Sequence, residues 1–155
     1  MDYVIEGLDP AAFKPYFGLD DTQLKSRNAA RFQVDAKPGY PCRVSLEDAQ
    51  VGETVILLNH VSRADNTPYR ASHAIFVRER LGEGARFRNA VPEVFHSCIL
   101  SLRGFDEAGM IIDARLRQPG EADSDLRGLF ENDAVVEIDV HNAIRGCFSA
   151  RARRA

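Results

Sequence analysis

The C-terminal stretch "VVEIDVHNAIRGCFSARARRA", residues 135–155, decides the fold of this chain. Apolar and polar residues alternate along residues 136–141 and again along residues 147–153. An alternation with a period of two is typical of a β-strand that buries one face. Between the two runs, Asn142 and Gly146 are residue types that accept the positive φ of a turn. The stretch therefore predicts an antiparallel hairpin at the C-terminus.

The register of this hairpin follows from the requirement that the apolar residues of both strands share one face. A three-residue loop, 142–144, places Ile138 opposite Phe148, on the same face as Val136. A slip of one residue would move every side chain of one strand to the other face of the hairpin. We therefore expect Phe148 in the core and Arg151 on the exposed polar face, as one of several charge-paired arginines.

The rest of the chain contains further strand patterns and one clear helix. The helix is predicted near residues 122–131, where Ala122, Leu126, Leu129 and Phe130 fall on one helical face. Shorter helical turns are predicted after Asp9 and after Asp20 or Asp21, which suit the N-cap position. Apolar runs and alternations predict the remaining strands, which are residues 3–6, 31–35, 53–60, 73–79 and a hairpin within 98–117.

These elements predict one domain, residues 1–155, of the α+β class. We expect a mostly antiparallel, curved sheet of six or seven strands, with short helices and the longer helix near residues 122–131. A barrel-like β fold is the alternative, because a strongly curved sheet of this size can close on itself.

Residues 61–72, "VSRADNTPYRAS", show no hydrophobic periodicity and contain a proline. A structureless connection of this length is uncommon in a compact domain and is often a binding loop. We therefore predict a mobile or ligand-ordered loop here. It carries Tyr69 and Arg70, and His60 and His73 border it.

The composition excludes several classes of function. The net charge is −3, and the arginines near the C-terminus have no interleaved aromatic residues, so we expect no nucleic-acid partner. The longest apolar run has four residues, so we expect no membrane span. The odd cysteine count and the lack of a secretory signal pattern predict reduced thiols and a cytoplasmic protein.

No sequence motif indicates a cofactor. His60 and His73, with a carboxylate such as Asp65, are residue types that bind metals, but no compact histidine spacing is present. Glycine-rich nucleotide loops and nucleophile elbows are also absent from the sequence. We therefore expect neither a metal nor another cofactor.

Cys147 and His141 lie close in the predicted hairpin and suggest a thiol nucleophile with a histidine base. In the predicted register, however, Asp139 lies opposite Cys147, and a nearby negative charge disfavours a thiolate. A buried structural role for the cysteine remains open beside the catalytic one.

Four segments of the chain resemble a family of bacterial proteins, the domain-of-unknown-function family numbered 1203. These segments are "PGYPCRVSLEDAQVGETVILLNH", "TPYRASHAIFVRE", "LRGFDEAGMIIDARL" and "VHNAIRGCFSARARRA". The resemblance runs from near Arg31 to the end of the chain and implies no activity, cofactor or catalytic residue. It does add the pair Cys42 and Arg43 to the residues of interest.

Two functions remain open at this stage. The first is a binding or accessory domain with a pocket for a small polar or anionic ligand. The second is a small thiol-dependent enzyme that uses Cys147 or Cys42 with a histidine base. The candidate ligand-binding residues are Cys42, Arg43, His60, Tyr69, Arg70, His73, His141, Asn142 and Cys147.

The odd cysteine count and the lack of a secretory signal pattern predict three free thiols. Thiol titration of the denatured, unreduced protein should find that all three cysteines of the chain react. A single reactive thiol would show a disulfide and would contradict the predicted reducing compartment.

Overall fold

The structure is a computed structural model that describes residues 1–80 and 82–155. These residues form nine antiparallel strands, two α-helices and three single turns of 3-10 helix. The helices are α1, Asp21–Ser26, and α2, Ala122–Phe130, and the 3-10 turns are Pro10–Ala12, Lys14–Tyr16 and Glu93–Phe95. The strands are β1, Tyr3–Glu6; β2, Ala29–Gln33; β3, Thr54–Arg63; β4, Ala71–Arg78; β5, Arg86–Arg88; β6, Leu100–Phe105; β7, Ile111–Arg117; β8, Glu137–Asn142; and β9, Phe148–Arg154.

The strands form two sheets. Six of them pair in the order β5-β1-β9-β8-β6-β7, and the other three in the order β2-β3-β4. The α+β class and the mostly antiparallel pairing are thus confirmed. Neither sheet closes on itself within the described part of the chain, so the barrel-like alternative is wrong.

The six-stranded sheet buries one face under α2, which confirms the predicted longer helix. Leu126, Leu129 and Phe130 of α2 are fully buried against this face. On the sheet side, Ile138 and Val140 belong to the same apolar cluster. The helix begins after a glycine-containing turn and ends where its buried face ends, as the apolar spacing predicts.

The three-stranded sheet has an apolar cluster of its own. Ile56 and Leu58 of β3 pack with Ile75 and Val77 of β4, and Leu24 of α1 covers them. Asp20 caps α1 by accepting the N–H of Gln23 at 2.8 Å, as its sequence position predicts.

The prediction of a long loop at residues 61–72 is wrong. Strand β3 continues to Arg63 and β4 begins at Ala71, so only residues 64–70 form the turn of a hairpin. A β-bulge between Val61 and Arg63 places Ser62 and Arg63 side by side in buried positions. Because a bulge interrupts the alternation of a strand, the strand pattern in the sequence stops before the strand does.

The C-terminal hairpin forms, but its predicted register is wrong. His141 pairs with Phe148, Val140 pairs with Ala150, and the extra residue between them is Ser149. This bulge places Ala150 on the core face with Val140, whereas Phe148 lies on the other face beside His141. Phe148 is buried as predicted, but it is buried toward the second sheet.

Arg151 also departs from its predicted exposed position. Its guanidinium contacts the carboxylate of Asp139, which is 1% exposed, and the carbonyl oxygen of Ser62 in β3. The arginine lies on the predicted polar face with Asp139, but this face is covered by β3 of the other sheet rather than by solvent.

We expect substitutions on this face of the hairpin to be costly. Phe148→Ala should lower the free energy of unfolding by about 3–5 kcal/mol, because it leaves a cavity between the sheets. Arg151→Ala should lower it by roughly 1–3 kcal/mol, because the buried Asp139 loses a charged hydrogen-bond donor. Urea unfolding measures both changes.

Arg86→Ala serves as the control, because Arg86 forms an exposed ion pair with Glu6 and should change stability by less than about 1 kcal/mol. If Arg151→Ala changed stability no more than Arg86→Ala does, the contacts of Arg151 with Asp139 and with Ser62 would contribute nothing.

Candidate functional site

A layer of polar side chains separates the two sheets. We call it the polar layer, and it consists of Ser62, Arg63, His73, Asp139, His141 and Arg151. At its centre the Asp139 carboxylate accepts hydrogen bonds from Arg63 Nε at 2.9 Å and from Arg151 Nε at 2.5 Å. Burial by itself raises the pKa of Asp139, but the two guanidinium groups outweigh it and hold the pKa below its ordinary value.

Two histidines of the polar layer lie against each other. The rings of His73 and His141 are 4.8 Å apart and nearly perpendicular. His73 Nδ1 is 2.6 Å from the hydroxyl of Ser62, and His141 Nδ1 donates to the carbonyl oxygen of Gly146 at 3.0 Å. Burial lowers the pKa of His141 to about 4, and burial together with the charge of Arg103 lowers the pKa of His73.

A cavity of about 500 Å³ opens beside the polar layer, where the two sheets meet. Its walls come from the segment 38–48, from β3 and β4, from the segment 94–100 and from the β8–β9 loop. Most of the wall is apolar and includes Leu57, Ile75 and Phe76. A concave, mainly apolar surface with a few polar groups is the usual form of a small-molecule site.

The guanidinium of Arg43 is the only fully buried charge in the cavity wall among the described residues. Arg43 is 4% exposed, and its Nη1 donates to Ser149 Oγ at 3.0 Å. Its Nη2 donates to Cys147 Sγ at 3.7 Å, and its Nε has no hydrogen-bond partner. Among residues 1–80 and 82–155, no carboxylate oxygen lies within 4.0 Å of this guanidinium.

The β8–β9 loop supplies the other polar groups of the cavity. Asn142 accepts the N–H groups of Ile144 and Arg145 through its side-chain oxygen, which holds the loop in shape. Its amide nitrogen is 3.7 Å from Cys98 Sγ, and both Cys98 and Cys147 line the cavity as free thiols. The predicted residues Arg43, Asn142 and Cys147 are therefore brought together.

The other predicted residues lie elsewhere. Cys42 is fully buried in the core of the three-stranded sheet, where its Sγ accepts the N–H of Arg78. His60 pairs with His73 across β3 and β4 and packs against Phe13 and Phe148, so the two histidines are neighbours as expected. Burial lowers the pKa of His60.

Tyr69 and Arg70 lie in the turn between β3 and β4. The Tyr69 ring packs edge-on against Phe105 of β6, with 6.0 Å between ring centres. Arg70 is exposed and donates to the carbonyl oxygen of Ala64 within the same turn. Neither residue lines the cavity.

Asp48, Cys98, Arg145 and Ser149 line the cavity but were not among the predicted site residues. Cys98 lies just before an apolar strand, where the sequence indicates a core residue. Ser149 lines the cavity only because the bulge in β9 turns it toward Arg43. No sequence pattern signals that bulge.

Neither candidate nucleophile has a histidine base in place. Within the described residues, no hydrogen bond joins a histidine to Cys42 or to Cys147. The same residues contain no group of three or more histidine, cysteine, aspartate or glutamate side chains that could hold a metal ion. None of the helices described is long and apolar enough to cross a membrane.

Residues 39–154 match the sequence profile of a family described as "Protein of unknown function (DUF1203)". The matched region includes the whole cavity wall except Pro38. Searches of curated proteins and of solved structures find no match to the chain.

The buried histidines predict that acid weakens the fold. His141 is neutral in the folded protein with a pKa of about 4, whereas an unfolded histidine binds a proton near pH 6.5. The contribution of neutral His141 to the free energy of unfolding is therefore fully present above about pH 6.5. Roughly 3 kcal/mol of it is lost as the pH falls from there to about 4. Urea unfolding at several pH values measures the loss.

In His141→Gln, the free energy of unfolding should depend less on pH between about pH 6.5 and pH 4. His96→Gln is the matched control, because His96 is exposed, and it should leave the curve unchanged. An unchanged slope in His141→Gln would contradict the assignment of the acid sensitivity to His141.

Proposed function

The chain belongs to the family described as protein of unknown function DUF1203, and we propose that it binds a small anionic ligand in the cavity beside Arg43. The observation that carries this proposal is the buried Arg43 guanidinium without a carboxylate partner. A buried charge is costly unless another charge or several hydrogen bonds compensate it. An anion in the cavity would supply that compensation.

A comparison with Arg63 supports the proposal. Arg63 is 3% exposed, as deeply buried as Arg43, but it pairs with Asp139 and Asp65 and stacks on the Phe105 ring. Arg43 has only a hydroxyl and a thiol as neutral acceptors. The same protein thus pairs one buried guanidinium with carboxylates, although its Nη2 has no hydrogen-bond partner, and leaves the other without a carboxylate and available to a ligand.

The cavity walls indicate the chemical class of the ligand. Its lining combines the cationic and amide groups of Arg43, Asn142 and Arg145, and the carboxylate of Asp48, with aliphatic and aromatic side chains such as Leu57 and Phe76. A ligand that satisfies Arg43 and also contacts the apolar side chains has one anionic head and an apolar body. We therefore propose a carboxylic acid with a short aliphatic or aromatic body, because a carboxylate matches the planar guanidinium fork.

Cys147 gives some support to the alternative, a thiol-dependent enzyme, because its sulfur lines the cavity and accepts a hydrogen bond from Arg43. The ligand-binding proposal is the stronger one, because no histidine of the described residues is hydrogen-bonded to this thiol. Cys147→Ala separates the two by turnover, since a thiol-dependent enzyme would no longer convert its ligand, whereas a binding protein leaves the ligand unchanged with or without the thiol.

Ligand binding is tested by calorimetric titration with benzoate, hexanoate and inorganic phosphate. Wild-type protein should bind at least one of the two carboxylates, and Arg43→Met should weaken that binding by about tenfold or more, because a charged hydrogen bond is lost. Arg86→Met, at an exposed arginine outside the cavity, should bind as the wild type does. Equal binding by wild type and Arg43→Met would contradict the proposal.

Substitution of the two buried arginines, Arg43 and Arg63, should change the free energy of unfolding differently. Without ligand, Arg43→Met should leave the free energy of unfolding unchanged or higher, because it removes an unpaired buried charge. Arg63→Met should lower it by roughly 3–5 kcal/mol, because it removes one partner from the buried Asp139. A large loss in both variants would assign Arg43 a structural role.

A further inference from the structure

The outer edge of the six-stranded sheet at β7 exposes apolar side chains. Along the solvent-facing side of this strand, Leu116 is 68% exposed, Ile112 is 39% exposed, and the preceding Met110 is 37% exposed. An edge strand with an exposed apolar face is a surface on which another strand can pair.

The opposite edge of the same sheet is protected. Strand β5 has only three residues, and its arginines pair with acidic residues, Arg86 with Glu6 and Arg88 with Asp2. A short, charged edge of this kind discourages strand addition. Strand β7 has seven residues and lacks this protection on its apolar side.

We propose that β7 pairs with β7 of a second copy of the chain, in an antiparallel twofold dimer centred on Ala114. This register places Ile112 opposite Leu116 of the second copy on one face, and the twofold axis repeats the pair. On the other face it places Asp113 opposite Arg115 of the second copy. The strand is thus complementary to itself in both apolarity and charge.

The neighbouring registers are not complementary. A twofold axis at Asp113 places two carboxylates opposite each other, and an axis at Arg115 places two guanidinium groups opposite each other. If one copy slips by a single residue along the other, the apolar side chains of the two copies lie on opposite faces of the paired strands. Only the axis at Ala114 joins opposite charges and apolar side chains together.

The two charged residues are available for this pairing. Asp113 has no basic side chain within 4.0 Å among residues 1–80 and 82–155. Arg115 is 37% exposed and donates to Asp125 of α2 through Nη1. Its guanidinium packs against Gly128 of α2, and its Nη2 forms no hydrogen bond among the described residues, so this nitrogen can still donate to a second carboxylate.

A charge-reversal experiment tests the register. Asp113→Lys alone and Arg115→Glu alone each place like charges opposite one another in the dimer, so each should weaken dimerisation by about tenfold or more. An equal mixture of the two variants should dimerise as the wild type does. In the mixed pair, the introduced lysine faces the introduced glutamate, and the native Arg115 faces the native Asp113.

Sedimentation velocity at increasing protein concentration measures the dimer in each sample. Wild-type protein that stays monomeric, or a mixture that stays monomeric while the wild type dimerises, would overturn the proposal. Circular dichroism checks that each variant folds, since Arg115→Glu also removes a contact with Asp125.

A second pair of variants keeps the proposal testable if Arg115→Glu does not fold. Leu116→Lys should abolish the dimer, whereas Ile144→Lys makes the same kind of change at a site that is 78% exposed in the β8–β9 loop. Ile144→Lys should dimerise as the wild type does. Equal dimerisation by the two variants would show that β7 is not the interface.

Discussion

The ion pair of the Asp139 carboxylate with Arg63, together with the hydrogen bond from Arg151 to the Ser62 carbonyl oxygen, joins the two sheets of this protein. Each sheet has an apolar cluster of its own, so apolar packing alone would not determine how the sheets meet. Buried ion pairs contribute little net stability against an apolar alternative, but their geometry is demanding. The carboxylate therefore sets the position of β3 over β8 and β9, and the histidine pair and the cavity follow from that position.

The buried charge in the cavity wall, Arg43, lacks the carboxylate partners that Arg63 has. Arg43 lies as deep as Arg63, yet it has no carboxylate within hydrogen-bonding distance among the described residues. Natural sites often keep such uncompensated groups where a ligand completes them, at some cost in stability. Arg63 joins the two sheets, and Arg43 lies in the cavity between them, where the proposed anionic ligand would bind it.

Part of this architecture could be predicted from local patterns. The helix at residues 122–130 and most strands were predicted because each depends on a periodicity within its own segment. The hairpin of β3 and β4 was missed at residues 61–63, and the face of Phe148 was predicted wrongly. Both errors occur at β-bulges, where one extra residue inverts the alternation that the prediction depends on.

The sequence by itself determined the α+β class, the C-terminal hairpin and the burial of Phe148, because these depend on residue type and local spacing, whereas Arg43 was indicated only by the family resemblance. Only the tertiary structure decided that Arg151 is partly buried against β3, that Arg43 lacks a carboxylate partner and that Cys98 and Ser149 line the cavity. These properties depend on how two distant strands face each other. The position of Ser149 also follows from a bulge of one residue, which has no signature in the order of residue types.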